Sequence, residues 1–319
     1  MLALTHFSKY DECMNEVVEL STPSISIKID LTRGATITHI GKTADPNSNV
    51  LAWYEFDDIT ELPIDYPHGE SEHYWMSRYR GGWQLLTPSA DKECDVGGRH
   101  HSFHGDSSIL PWRLVSKSAT EIVHDVTIFD ALHVKRVAAL NMNKPEMTVT
   151  STITNVGQKV EPFIKVEHIA YRGSDNGEVN GPANTVWKFH DYVQEGYAGE
   201  FKWKDMDSHG INIRNRNMEK EGRLVYILRD SEGWIEWKNP DFKQHTRASW
   251  DAKEFPHLWY WQENGADIFP FHRRTKITAL EPASVPPGTR LIGAVEKNLA
   301  SELKPGASHT FSIKIELLR

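Results

Sequence analysis

The sequence predicts an all-β protein, built as a large antiparallel β-sandwich with few short helices. Polar and apolar residues alternate along many short stretches, turn residues separate those stretches, and helical periodicity is scarce. Such a pattern is typical of packed antiparallel sheets. No linker-like change of composition divides the 319 residues, so we predict a single domain over residues 1–319.

The first half of the chain carries six predicted strands. Isoleucine, valine and threonine recur at every second position in them, which favours the extended conformation. Glycine or an Asn/Pro-bearing turn separates one strand from the next. The predicted strands lie at 24–31, 33–41, 121–128, 132–137, 147–155 and 163–168.

The second half continues the pattern but is interrupted by polar segments. Further strands are predicted at 224–228, 233–237, 257–262, 275–282 and 308–317. Residues 56–75 and 172–217 are rich in turn-forming and polar residues, which predicts a long loop and then long excursions with short strands inside. Such loops often roof a binding site. Helices are predicted only at 7–18 and 299–303.

Charge and composition exclude several classes of protein. The formal net charge is −8, and no basic face offers a site for nucleic acid. The first 20 residues lack the apolar segment of a signal peptide, and no apolar run is long enough for a membrane span, so we expect a cytoplasmic protein. Cys13 and Cys94 are the only cysteines, which allows one bridge at most and no paired-cysteine zinc motif.

One stretch combines the side chains that a sugar site requires. Arg80-Gly81-Gly82-Trp83 is followed by His104-Gly105-Asp106 and then by Pro111-Trp112. A guanidinium donates to hydroxyl or carboxylate oxygens, and an indole covers the apolar face of a pyranose. A histidine can move a proton near neutral pH. By itself the stretch is more typical of a Gly-Gly turn between two strands, a buried tryptophan and a histidine satisfied within the structure.

Two strand-borne residues complete the pattern. His168 lies in Val166-Glu167-His168-Ile169-Ala170-Tyr171, and Glu281 lies in Ala279-Leu280-Glu281-Pro282. In order and approximate spacing, these motifs resemble the aldose 1-epimerase (galactose mutarotase-like) superfamily across nearly the whole chain. The Arg-Gly-Gly, His-Gly and Pro-Trp run is most similar to the hexose-phosphate mutarotase branch. The resemblance implies a β-supersandwich that binds a small-molecule sugar in an open cleft.

The resemblance also implies roles for individual residues. Glu281 is expected to take the proton from the anomeric hydroxyl, and His168 to protonate the ring oxygen. His104 and Arg80 are expected to orient the sugar, with a shared acid role for His104 as an alternative. This acid and base chemistry requires neither metal nor cofactor. The predicted substrate-binding set is Arg80, Trp83, Asp106, Trp259, Trp261 and Gln262.

Elementary electrostatics adds two expectations about the site, and strand geometry adds a third. A desolvating cleft raises the pKa of Glu281, and a histidine beside carboxylates stays protonated. Trp259 and Trp261 point the same way because strands alternate faces, so both lie near the sugar or both lie in the core.

Several alternatives remain open from the sequence. An anionic sugar could engage a guanidinium among Arg78, Arg80, Arg99, Arg273 and Arg274. A divalent metal at His100, His101 and His104 with Asp106 or Cys94 is disfavoured by the spacing. The same fold could serve a sugar-binding sensor without catalysis, or an oligosaccharide lyase or hydrolase. The expected assembly is a monomer or a homodimer.

Overall fold

The computed structural model describes residues 17–55, 71–190, 199–205, 222–229, 232–267 and 270–318. The all-β prediction is confirmed, because the described strands form two large antiparallel sheets and two small pairs. The described helices are short: α1 (Ser71–Arg78) and α2 (Arg290–Glu296). None of the helices within these ranges is long and apolar enough to cross a bilayer.

The first large sheet has ten strands and contains the candidate site. Its neighbouring pairs are antiparallel, and its spatial order is β1-β2-β3-β4-β12-β20-β19-β16-β14-β15. The strands span β1 (Val17–Ser21), β2 (Ser26–Asp30), β3 (Thr36–Gly41), β4 (Gly82–Leu86), β12 (Val166–Arg172), β14 (Val186–Phe189), β15 (Glu200–Lys202), β16 (Gly222–Arg229), β19 (His257–Asn264) and β20 (Lys276–Ala283).

The second large sheet has eight strands in the order β13-β17-β18-β22-β10-β9-β8-β7. Its central strands are long, and β10 alternates strictly between buried and partly buried positions. The strands span β7 (Arg113–Lys117), β8 (Glu121–Ile128), β9 (Leu132–Leu140), β10 (Glu146–Asn155), β13 (Glu178–Asn180), β17 (Trp234–Asn239), β18 (Gln244–Trp250) and β22 (Ser308–Leu317).

Two hairpin-like pairs lie outside the large sheets. In the first, β5 (Cys94–Val96) pairs with β6 (Arg99–His101). In the second, β11 (Glu161–Phe163) pairs with β21 (Ser301–Leu303). The β5–β6 pair matters for function because the chain leaves β6 directly into His104.

An extensive apolar core fills the space between the two large sheets. Ile29, Trp83 and Ile169 enter it from the ten-stranded sheet, and Val149 and Ile313 enter it from the eight-stranded sheet. We call this the inner core. Because strand residues alternate between faces, every second side chain of the ten-stranded sheet points to its opposite, outer face.

Two smaller apolar clusters cover that outer face. The α1 cluster consists of Ala52, Trp75, Tyr79, Phe103, Ala170, Phe271 and Ile277. The α2 cluster consists of Leu86, Ala90, Cys94, Ile164, Val166, Trp259, Ala283, Val285, Leu291 and Ala294. The two clusters flank a polar row, described below, that crosses the middle of the sheet.

The helix predictions need correction. Residues 301–303 form strand β21 and not a helix, because their main chain pairs with β11. The helix of this region is α2, which buries Leu291 and Ala294 one turn apart. Part of the predicted 56–75 loop is also helical, since α1 begins at Ser71. Residues 56–70 and most of the predicted 7–18 helix lie outside the described residues.

Candidate active site

Four side chains form a row across neighbouring strands on the outer face. His168 on β12 pairs with Gln84 on β4. Trp259 on β19 pairs with Glu281 on β20. The β12–β20 register joins Val166 to Ala283 and Ala170 to Ala279, which sets His168 opposite Glu281. Directly opposed residues of an antiparallel pair share a face, so the sheet itself brings acid and base together.

His168 and Glu281 are almost completely buried and close to each other. Nε2 of His168 lies 3.8 Å from Oε1 of Glu281. This separation is too long for a direct hydrogen bond. A sugar that brings its anomeric and ring oxygens to this point can therefore contact both groups. Those two oxygens are bonded to the same carbon, so one ligand can supply them together.

Burial determines the protonation of this pair. Desolvation, with a smaller contribution from the charge of Asp91, raises the pKa of Glu281 well above its ordinary value. This direction agrees with the sequence-based expectation. Desolvation lowers the pKa of His168 to about 4. The expectation that a histidine here stays protonated is therefore wrong: at neutral pH His168 is uncharged, and Glu281 is the group that burial favours in its protonated form.

His104 approaches His168 from a rigid loop. Its ring centre lies 5.8 Å from that of His168. Its backbone is left-handed, with φ at 58°, which is uncommon for a residue other than glycine. Gly105, the next residue, has no room for a side chain, because a methyl group there would lie 2.3 Å from the Ser89 carbonyl oxygen. Close packing of this kind fixes the loop and therefore the imidazole.

The hydrogen bonding of His104 also fixes its tautomer. The main-chain N–H of Asp91 donates to Nδ1 of His104 over 3.1 Å. A backbone N–H only donates, so Nδ1 carries no proton and the neutral ring has its proton on Nε2. Burial lowers the pKa of His104 well below its ordinary value, and the nearby His168 adds to this effect. His104 is therefore suited to donate a hydrogen bond and poorly suited to release a proton.

An aromatic wall formed by α1, by the residue that follows it and by the loop of His104 encloses the two histidines. Trp75 stacks on Tyr79 with ring centres 4.4 Å apart. Trp75 also meets His104 edge to face at 4.5 Å, and Tyr79 meets His168 in the same manner at 5.5 Å. Phe103 packs against His104 at 4.0 Å. These rings exclude water, which explains why burial dominates the pKa shifts of both histidines.

Five buried polar atoms without a hydrogen-bond partner lie on side chains of this row and of the aromatic wall beside it. Buried polar groups in proteins are normally paired, so these atoms are candidates for hydrogen bonds to a ligand. Within the described residues, the atoms concerned are Nε1 of Trp75, the hydroxyl of Tyr79, Oε1 of Gln84, Nδ1 of His168 and Oε2 of Glu281.

The two predicted tryptophans of β19 both lie on the outer face, as the alternation requires. Trp259 is buried in the α2 cluster, and its indole N–H donates to the Val285 carbonyl over 2.8 Å. Trp261 is partly exposed and packs against both outer clusters, with Phe271 at 6.0 Å between ring centres. Trp261 thus has an indole surface that a ligand can cover.

Trp83 and Gln262 lie on the opposite face. Trp83 pairs with Ile169, is fully buried in the inner core, and donates to Oε2 of Glu167 over 2.6 Å. Gln262 lies between the outward-facing Trp261 and Glu263 in sequence, and its side-chain amide donates to the hydroxyl of Tyr260, an inner-core residue. The fold does not bring either side chain to the row, so we leave both out of the proposed site.

Arg80 and Asp106 lie near the row but are held by other groups. Nη1 of Arg80 donates to the carbonyls of Ser77 and Tyr79 over 2.8 and 3.1 Å. Arg80 lines a pocket together with Gln84 and Trp75. Asp106 accepts a hydrogen bond from Ser102 over 2.9 Å and lies 3.5 Å from His101. Arg80 therefore borders the site, whereas the Asp106 carboxylate serves the loop that carries His104.

The remaining arginines proposed for an anion separate into two groups. Arg78 lines the same pocket as Arg80, and so does Arg33. Arg99 forms an ion pair with Glu161, and Arg273 forms one with Asp267 at 2.7 Å. Arg274 donates to the Pro270 carbonyl over 3.0 Å. Only the first group borders the row.

The histidines proposed as metal ligands have other contacts. His100 lies 3.0 Å from Asp95, and His101 lies near Asp106. Nδ1 of His104 accepts the Asp91 N–H. In the part of the chain that the structure describes, no three His, Cys, Asp or Glu side chains are arranged to hold a metal ion.

Sequence reasoning missed four residues of the site. Gln84 is the one polar residue of β4, and a polar residue in an apolar buried strand is a pattern that could have indicated a site residue. Trp75 and Tyr79 are four residues apart, which is a helical spacing. Trp75 is the last residue of the predicted 56–75 loop, and Tyr79 directly follows α1. Asp91 reaches His104 only through the folding of two loops, so no local pattern indicates it.

Comparisons with known proteins assign the family. The sequence matches the model of the family described as Domain of unknown function (DUF4432) over residues 14–317. The chain belongs to this family. No curated protein matches the DUF4432 chain in sequence.

Solved structures share the fold of the DUF4432 chain at low sequence identity. The Slr1438 protein from Synechocystis sp. PCC 6803 has a TM-score of 0.67 at 13% identity, with 99% of each chain covered. A galactose mutarotase-like protein from Lactobacillus casei ATCC 334 has a TM-score of 0.62 at 16% identity, covering 95% of this chain and 100% of the other. A galactose mutarotase related enzyme from Lactobacillus acidophilus has a TM-score of 0.58 at 12% identity, covering 95% and 98%. The fold is therefore galactose mutarotase-like.

Proposed function

We propose that this protein is an aldose 1-epimerase, which interconverts the α and β anomers of a hexose or hexose derivative. The observation that carries the proposal is the opposition of His168 and Glu281, 3.8 Å apart on the outer face of the ten-stranded sheet. The mutarotase-like proteins that share the fold support the same class of reaction.

The reaction needs one acid and one base at neighbouring oxygens. The base removes the proton of the anomeric hydroxyl, the bond between C1 and the ring oxygen breaks, and the acid protonates the ring oxygen. The open chain then carries an aldehyde at C1. Rotation about the C1–C2 bond presents the other face of that carbonyl, and closure returns the proton in the opposite sense.

The His168–Glu281 pair holds a single transferable proton, so it supplies one acid and one base for ring opening and again for ring closure. Burial raises the pKa of Glu281 and lowers that of His168, so one proton remains on the pair over a broad pH range. With the proton on Glu281, Glu281 is the acid and His168 is the base, the reverse of the roles that the resemblance implies. During ring opening His168 gains a proton and Glu281 loses one. The pair therefore still holds one proton afterwards, with the two roles exchanged, and it is ready for ring closure.

His104 and the outer-face aromatics would orient the sugar. The Nε2 proton of His104 is fixed by the Asp91 bond to Nδ1, so His104 donates to a sugar oxygen without changing its charge. Trp261 offers an indole face for the apolar side of the ring. Gln84 extends the row beyond His168 with a buried amide oxygen that has no partner.

The test is polarimetry on freshly dissolved α-anomers of glucose, galactose, their 6-phosphates and acidic hexoses. We expect accelerated mutarotation of at least one sugar, and a loss of roughly 100-fold to 10,000-fold in the His168→Asn variant. His39→Asn is the matched control, because His39 lies on β3 of the same sheet, where it contacts Ser26. Sugar binding without any acceleration would instead indicate a non-catalytic sugar-binding protein.

A further inference from the structure

A pocket lies beside the row, one strand away from His168. Gln84 lines this pocket and pairs with His168 across β4 and β12. Trp75 and Tyr79 also line it, and their ring centres lie 6.0 and 5.5 Å from that of His168. Neighbouring strands are about 4.8 Å apart, which is comparable to the width of a pyranose ring. A sugar whose C1 lies at the His168–Glu281 pair can therefore reach the pocket with a ring substituent.

The charged side chains of this pocket are all cationic among the described residues that line it, which include no aspartate or glutamate. The cationic residues are Arg33, Arg78 and Arg80. Arg78, the last residue of α1, is half-buried. It donates to the Thr32 carbonyl over 3.4 Å, and its guanidinium lies 5.2 Å from the ring centre of Tyr74. A guanidinium has five N–H donors, so these contacts leave Arg78 able to donate to a ligand oxygen.

Three of the buried polar atoms without a hydrogen-bond partner belong to residues that line the pocket. They are Nε1 of Trp75, the hydroxyl of Tyr79 and Oε1 of Gln84. An indole N–H and a phenol hydroxyl can both donate to an anion. Nε2 of Gln84 donates to Oγ1 of Thr36 over 2.9 Å, which leaves Oε1 as the acceptor end of that amide. The pocket therefore combines a guanidinium with neutral donors and one acceptor for a sugar hydroxyl.

We propose that this pocket binds a carboxylate substituent of the sugar, so that the preferred substrate is a hexuronate and not a neutral hexose. The inference rests on the proposed function and names the substrate class of the same site. The planar guanidinium of Arg78 can donate two parallel hydrogen bonds to the two oxygens of a carboxylate. Charge-assisted hydrogen bonds of this kind are stronger than neutral ones.

Charge and lining favour a carboxylate over a phosphate. The cost of removing an ion from water grows with the square of its charge, and a phosphate monoester carries about two negative charges near pH 7. Aromatic residues make up much of the lining: Trp53, Tyr74, Trp75 and Tyr79. Oδ2 of Asp30 also lies 3.5 Å from Nε of Arg33 and offsets part of the positive charge. A single negative charge therefore matches the pocket better than a double one.

Arg78→Gln tests the proposal, with glucuronate and glucuronamide as probes. Glucuronamide has the same shape without the charge, so the ratio of the two kcat/KM values for anomer exchange measures the contact to the carboxylate. We expect the parent protein to favour glucuronate. This ratio should fall about 10-fold to 100-fold in Arg78→Gln, because hydrogen bonds to a charged group are lost.

Two further variants make the test specific. Arg78→Lys should lower the ratio less than Arg78→Gln does, since it keeps the charge and loses only the planar fork. Arg247→Gln is the matched control, because Arg247 lies on β18 of the other large sheet with its guanidinium 4.3 Å from the ring centre of Trp234. Circular dichroism confirms that each variant is folded. The control should keep the ratio of the parent protein.

Three results would overturn the proposal. The first is an equal kcat/KM for glucuronate and glucuronamide in the parent protein. The second is a ratio in Arg78→Gln as high as that in Arg247→Gln. The third is a higher kcat/KM for glucose 6-phosphate than for glucuronate, which would contradict the choice of a singly charged group.

Failure of this pocket can be distinguished from failure of the proposed function. If the parent protein accelerates anomer exchange but shows no preference for glucuronate, the pocket proposal alone fails. If it accelerates exchange of no sugar, the epimerase assignment fails. Ligand-observed NMR titration with glucuronate then still tests the pocket, because Arg78→Gln must bind it more weakly than Arg247→Gln. Equal binding by these two variants would remove the pocket in that case too.

Discussion

His168 and Glu281 face each other across neighbouring strands, and the second heteroatom of each side chain has no partner. Nε2 and Oε1 are 3.8 Å apart, whereas Nδ1 of His168 and Oε2 of Glu281 make no hydrogen bond in the structure. Strand register, and not loop conformation, fixes this opposition. An acid and base placed by a sheet are pre-organised, so little reorganisation is needed during the reaction.

Because the His168–Glu281 pair must hold one proton, we predict that kcat/KM has a bell-shaped dependence on pH. Below about pH 4 a second proton binds to His168, whose pKa is about 4, and no base remains. Above the raised pKa of Glu281 the pair loses its proton and no acid remains. We expect a broad plateau of kcat/KM between these limits, measured by NMR exchange after subtraction of the rate in buffer. If activity is lost as the pH rises through about 6.5, the ordinary pKa of histidine, the proposal that the pair shares one proton is contradicted.

Substitution of Trp83 should affect the stability of the fold, whereas substitution of Trp261 should affect KM. Trp83→Phe removes the hydrogen bond to Glu167 in the inner core and should lower the free energy of unfolding by about 1.5–3 kcal/mol, with KM unchanged. Trp261→Ala removes an outer-face indole and should raise KM roughly 10-fold. Urea unfolding and steady-state kinetics on both variants check this. A raised KM for Trp83→Phe would place that indole in the site after all.

The inner core contains an ion pair directly behind the catalytic row. Arg136 on β9 donates to Glu167 on β12 over 2.8 Å, and both side chains are essentially inaccessible to solvent. The pair links the two large sheets next to His168. We expect Arg136→Met to destabilise the protein by about 3–5 kcal/mol, because it leaves the buried Glu167 carboxylate without its counter-ion.

The matched control for that pair is a double substitution. Arg136→Met combined with Glu167→Met removes both charges and should be less destabilised than Arg136→Met alone. Denaturant unfolding followed by tryptophan fluorescence measures both values. A double variant that is less stable than the single variant would show that the pair stabilises the fold beyond satisfying its own charges.

Alternation in the sequence was sufficient to predict the fold class and the places of many of the strands. It also indicated that Trp259 and Trp261 share a face, because strand side chains alternate regardless of tertiary context. The same rule places Gln262 opposite Trp261, and Trp83 opposite Gln84. The prediction of Trp83 and Gln262 as ligands followed the motif and ignored this alternation.

The rest of the site could not be predicted, because it depends on contacts between distant segments. The Asp91–His104 bond joins two loops, and the opposition of His168 and Glu281 joins strands more than 100 residues apart in sequence. Burial, which reverses the expected protonation of His168, is a property of the assembled aromatic wall. No local pattern encodes how deeply a single histidine is enclosed.

The measurement that tests the epimerase proposal most directly is saturation-transfer NMR between the two anomeric protons of the best hexose, with the parent protein and Glu281→Gln. Glutamine keeps the shape of the side chain but cannot exchange a proton as a carboxyl group does. We predict enzyme-dependent exchange in the parent that falls roughly 100-fold to 10,000-fold in Glu281→Gln, with folding unchanged. Exchange of equal rate in the two proteins would contradict the proposed role of the His168–Glu281 pair.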